Sequence, residues 1–192
     1  MNKLNLTSDT IQLLENSEYF GVLLKYHTLD FMDIPEEGVD VYRTVPIVPI
    51  DKTGQTSRGE KKISKSSISR KISEEEAKNM SQETALKQIG NWGHSCNITE
   101  EQAHEGFLFT YNNKKANGAD ETDLLNYRKE RGDKIVKLHI TPADAILTFP
   151  DEHGHLNLFP YKNVDFENLR DKTYGYTTIP QLTYDDGEPE KS

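Results

Sequence analysis

Cysteine is nearly absent: Cys96 stands alone in 192 residues, so no internal disulfide can form and a cysteine-built zinc cluster is excluded. Long hydrophobic runs are missing as well. No stretch approaches the roughly 18 apolar residues of a membrane helix, and MNKLNLTSDT at the amino terminus lacks the apolar centre of a secretory signal. The expectation is a soluble chain, cytoplasmic or delivered without a cleavable signal, and without a membrane span. Basic residues are in deficit, 23 Lys and Arg against 32 Asp and Glu for a formal net charge of -9. That balance argues against a general nucleic-acid binder, which needs a basic surface to neutralise phosphates. Glycine-rich phosphate loops and internal repeats are also lacking.

What is present fits one domain with a real core. Ser8 or Asp9 can cap a first helix in which Ile11, Leu13 and Leu14 recur, continuing toward Val22, Leu23 and Tyr26, and Pro35 and Gly38 close this helical amino-terminal segment, residues 1–38. VDVYRTV at 39–45 is rich in β-branched residues, with Pro46 and Pro49 limiting it to a short or edge strand. Residues 52–71 hold seven basic side chains against Glu60 alone, with many serines, which predicts a mobile basic loop, either simply solvated or a contact for phosphates or an acidic partner. Ser73 and Glu76 have capping-box spacing and predict a helix to Ile89 stopping at Gly90. A helix over 121–131 stopped by Gly132, strands at 134–140, 145–149 and 156–161, a short strand within 173–179 and a disordered tail at 185–192 complete the reading.

Two places carry chemistry-bearing residues. HSCNITEEQAH at 94–104 starts as a polar turn and becomes a helix, because Thr99 stands three residues before Gln102. Far upstream, Arg43 lies within the 39–45 strand beside Tyr42 and Thr44; far downstream, Glu152 lies in the turn PDEHGH. In this order the residues resemble the mono-ADP-ribosyltransferases, in particular the cholera-toxin-like group with its aromatic-Arg strand, its Ser-Thr-Ser strand entering a helix and its late glutamate. Val41-Tyr42-Arg43-Thr44 matches the first element. Ser95-Cys96-Asn97 keeps the leading serine of the second. The third departs: the family's Glu-x-Glu does not occur, and PDEHGHLNL offers Glu152 with Gly154 two residues on.

The resemblance covers roughly residues 39–165 and implies an α+β fold, a split β core of two small, mostly antiparallel sheets with flanking helices, in a domain over 39–184. It implies transfer of ADP-ribose from NAD, as substrate, to a macromolecular acceptor, expected to be a protein, with NAD hydrolysis as a side reaction. The catalytic set it implies is Arg43, Ser95 and Glu152, with Arg43, Thr44, His94 and Ser95 about the dinucleotide. The chemistry suits those residue types. A guanidinium offers a planar fork for pyrophosphate oxygens, a carboxylate can oppose the positive charge that grows on the ribose, and a serine hydroxyl can orient that carboxylate.

Other readings stay open. His153 and His155 flank Gly154, with His139 on a neighbouring strand; this suits a histidine-dependent ribonuclease-like toxin, but no carboxylate spacing supports a metal site, and none is expected. An acidic, non-catalytic interaction protein of the immunity or inhibitor type would equally show one domain and net negative charge. In it, Arg43, Ser95 and Glu152 would be ordinary surface residues.

Overall fold

The computed structural model describes residues 2–14, 17–45 and 72–179. Short strands and helices alternate from the start: β1 (Lys3–Leu4), α1 (Ser8–Leu13), α2 (Ser17–Leu24), β2 (Phe31–Met32) and β3 (Val39–Val45). Then come α3 (Glu74–Asn79), α4 (Gln82–Trp92), β4 (His94–Asn97), α5 (Glu100–Ala116) and α6 (Glu121–Arg131). The chain continues through β5 (Lys134–Ile140), β6 (Ala145–Thr148), β7 (His155–Pro160), a 3-10 turn (Phe166–Leu169) and β8 (Thr177–Thr178). The basic loop expected over 52–71 and the tail expected over 185–192 lie outside the described residues.

Helix boundaries follow side chains that satisfy free backbone N–H groups. Ser73 and Glu76 form the reciprocal capping box, Thr99 accepts from the Gln102 N–H, and Asp120 accepts from the Asp123 N–H. Gly132, at φ 83° and ψ 153°, takes a backbone conformation that L side chains rarely adopt and ends α6, its N–H donating to the Arg128 carbonyl. Two expected helices are divided. Leu14 leaves α1 to bridge Tyr161, with Lys162 N–H donating to the Leu13 carbonyl, so the first helix does not run on to residue 26. Ser81 opens α4 by accepting from Thr84 N–H, and α4 continues through Gly90 because Ile89 and Trp92 are both buried. A glycine near a helix end is a stop only when the buried stripe also ends there.

The strands form one antiparallel sheet in the order β1-β2-β6-β7-β4-β3-β5-β8. This corrects the expectation of two separate sheets. The join at its centre is nevertheless slight: β3 pairs along its whole length with β5, from Val39 opposite Ile140 to Val45 opposite Lys134, yet meets β4 only at Tyr42 opposite Asn97. Two half-sheets therefore share one rung. Their inner faces pack together, Cys96, Leu147, Leu156 and Leu158 from one half against Val41, Val136 and Leu138 from the other.

Helices cover the outer faces. Phe20, Leu23, Ile89 and Trp92 pack on Phe31, Ile146 and Phe159, while Ala103, Phe107 and Tyr111 of α5 and Leu124 of α6 pack near Ile135. The i, i+4, i+8 spacing of the three α5 residues gives that helix one buried stripe, each of the two aromatics contributing roughly 1.5–3 kcal/mol by burial. Residues 1–38, expected as a helical segment, also supply β1 and β2 to the sheet edge.

Candidate functional site

Where β3 and β4 part beyond their single rung, α5 closes over the gap and leaves a cleft of about 630 Å³. Alternation along the strands decides what faces it. On β4, His94 and Cys96 are buried among inner-face residues, so Ser95 and Asn97 turn outward toward α5. On β7, Leu156 and Leu158 point inward, which turns His155 outward, directly beside Asn97 across the strand pair. Thr44 of β3 lines the same space.

Arg43 reaches the cleft from the inner side. It is only 7% exposed, and its Nη1 donates to the Ser95 carbonyl at 3.1 Å. Burial draws its guanidinium below its ordinary pKa, partly offset by the Cys96 thiol beside it; burial pushes that thiol upward, against the pull of Arg43. Fifty-two residues apart in the chain, Arg43 and Ser95 thus meet where hydrogen bonds between the half-sheets run out. The guanidinium, expected as a phosphate fork, is engaged in closing that gap.

Ser95 Oγ lies 2.8 Å from His155 Nε2. The late residue that the fold brings to Ser95 is therefore a histidine. Glu152 sits at the outer corner of the β6–β7 turn with its side chain 87% exposed, 3.6 Å from His153 Nε2, and is not part of the cleft lining. The turn explains this. Asp151 Oδ1 accepts the backbone N–H groups of both His153 and His155 at 2.9 Å, Gly154 N–H donates to the Asp151 carbonyl, and Ile98 N–H donates to the Gly154 carbonyl. Glu152 is left at the tip while His155 begins β7.

Among the expected dinucleotide contacts, Thr44 and Ser95 line the cleft, whereas His94 is buried on the inner face. The sequence reading missed the helical wall. Lys114 and Arg131 bring cationic groups to the lining, Glu105 is its carboxylate among the described residues, and Phe109, 70% exposed, and Tyr127 supply ring surface, with His153 facing them from the β6–β7 turn. Glu105, Phe109 and Lys114 recur on α5 at spacings of four and five, a faint signal beside the stronger buried stripe. Among the described residues, no group of three or more His, Cys, Asp or Glu is placed to hold a metal ion, and no helix is long and apolar enough to cross a membrane. Compared with family models, curated proteins and solved structures, the chain matches none.

Proposed function

We propose that the cleft binds NAD and that the protein transfers its ADP-ribose to a macromolecular acceptor, with NAD hydrolysis as a side reaction. The observation that carries this reading is the meeting of Arg43 and Ser95 at one cleft, beside the single rung that joins the half-sheets. These are the residues on which the resemblance to mono-ADP-ribosyltransferases rests. The lining adds chemistry suited to a dinucleotide. Lys114 and Arg131 offer charge to a pyrophosphate, the exposed Phe109 offers a ring face to a base, and Ser95 and Asn97 offer hydrogen bonds to ribose hydroxyls. A volume of about 630 Å³ falls within the usual range of small-ligand clefts. Glu105 takes the part first expected of Glu152, the carboxylate that opposes positive charge on the ribose.

Calorimetric titration with NAD tests the assignment. Binding is expected for the wild type, with a loss of about tenfold or more for Arg131→Ala combined with Lys114→Ala, each removing one charged contact, and no change for Glu152→Gln. Absence of NAD binding by the folded wild-type protein would refute it. The exposure of Glu152 favours one second reading, an interaction protein that holds a nucleotide without turning it over; NAD binding with no nicotinamide release would select that reading.

A further inference from the structure

Within the proposed NAD cleft, one chain of contacts does not depend on a carboxylate at the ribose. Ser95 Oγ and His155 Nε2 are 2.8 Å apart, and the opposite ring nitrogen, Nδ1, faces Asp151 Oδ2 at 3.8 Å. Asp151 is fixed from its other oxygen by the His153 and His155 backbone N–H groups, so Oδ2 is held toward the imidazole. His155 is fixed in turn by β7 pairing opposite Asn97. The turn between them packs closely against α5: a Cβ on Gly154, at φ +72°, would collide with the Gln102 side-chain amide. Ser95 and His155 line the cleft, while Asp151 stands behind the ring. Such an order of hydroxyl, imidazole and carboxylate can move a proton in one direction.

We infer that Ser95, His155 and Asp151 form a proton relay that accepts the proton of a hydroxyl-bearing acceptor, or of water, during ADP-ribose transfer. This rests on the NAD reading and names the class of acceptor and the group that activates it. In the step, the bond from ribose C1′ to nicotinamide breaks and its electron pair passes to the ring nitrogen, which leaves uncharged. The acceptor oxygen forms the new bond to C1′. Its proton moves to Ser95 Oγ as the Ser95 proton moves to His155 Nε2, and the imidazolium later returns that proton to solvent. His155 and Ser95 are the catalytic residues of this relay; Asp151, 3.8 Å from Nδ1, is a positioning residue whose negative charge favours the charged ring.

The experiment measures nicotinamide release and NAD affinity together for wild type, His155→Ala, His155→Gln and Asp151→Asn, with and without added imidazole. Both His155 variants are expected to lose about 100-fold or more in release, the range of a positioned acid–base group, with NAD affinity kept within about threefold. Free imidazole is expected to restore part of the His155→Ala rate, which a merely structural histidine would not allow. Asp151→Asn keeps an oxygen for the backbone N–H groups and is expected to lose kcat about tenfold with KM unchanged. Release by His155→Ala at the wild-type rate would overturn the relay alone, as would a loss in a variant that still binds NAD and that imidazole does not rescue. A wild type that neither binds nor cleaves NAD would overturn the NAD reading, and the relay with it.

Discussion

Gly154 and Arg43 show how much of the site depends on single residues. Gly154 holds a positive φ that other residues adopt at a cost, and Gln102 occupies the space a side chain would need. Gly154→Ala is expected to lower stability by about 1–3 kcal/mol and to slow nicotinamide release by freeing His155 from Ser95; denaturant unfolding and a release assay on the same preparation check both. Arg43→Lys keeps the charge and loses the planar fork. It is expected to cost about 1.5–3 kcal/mol, the scale of a charged hydrogen bond, and to loosen the cleft; unfolding at the wild-type denaturant midpoint would contradict the account. Arg43 was legible because a β-rich strand carrying Tyr-Arg is a local pattern, and Ser95 because it precedes a capped helix, although 94–97 reads locally as a polar turn and is strand β4. The partner of Ser95 was not. Choosing between Glu152 and His155 depends on how the turn spends Asp151 and Gly154, which alternation within β7 alone does not reveal.

Capping chemistry made most of the elements legible, because it is encoded within three or four residues. Thr99 faces the Gln102 N–H as its spacing implies, and Thr99→Ala is expected to cost about 1 kcal/mol, visible as a lower thermal midpoint with NAD affinity little changed. Gly21 offers the opposite case: it lies inside α2, and an added Cβ would meet nothing within 4 Å. Gly21→Ala is expected to stabilise by about 0.5–1 kcal/mol, and thermal unfolding is again the measure. What local pattern did not convey was the break at Leu14, whose backbone pairs with Tyr161 far along the chain, or the run of α4 through Gly90. Nor did it convey that β3 and β4 share only Tyr42 opposite Asn97. Pairing extent depends on how two half-sheets twist around a common core, and no window of sequence contains both.

At the scale of the molecule, the chain has a net charge of -9 while its cleft is lined by Lys114 and Arg131. The acidic balance speaks against broad nucleic-acid binding without preventing local capture of a phosphate. Acid groups also tie the sheet together. Asp171 takes hydrogen bonds from Lys137 Nζ, 2.7 Å away, and from Thr173, which hold its carboxyl well below the usual carboxylate range. Its folded pKa lies below the unfolded value of about 3.9, so its contribution is present above that value and lost as pH falls below about 4. Asp171→Asn is therefore expected to flatten the acid limb of the stability profile, read by calorimetric melting across that range. The central claim is that this cleft binds NAD and breaks its bond to nicotinamide. Chromatographic detection of nicotinamide released from NAD by the intact protein tests it most directly: release proportional to protein, lost in Ser95→Ala and retained in Glu152→Gln, is the predicted result, whereas no release by the folded wild type, or release indifferent to Ser95→Ala, would contradict it.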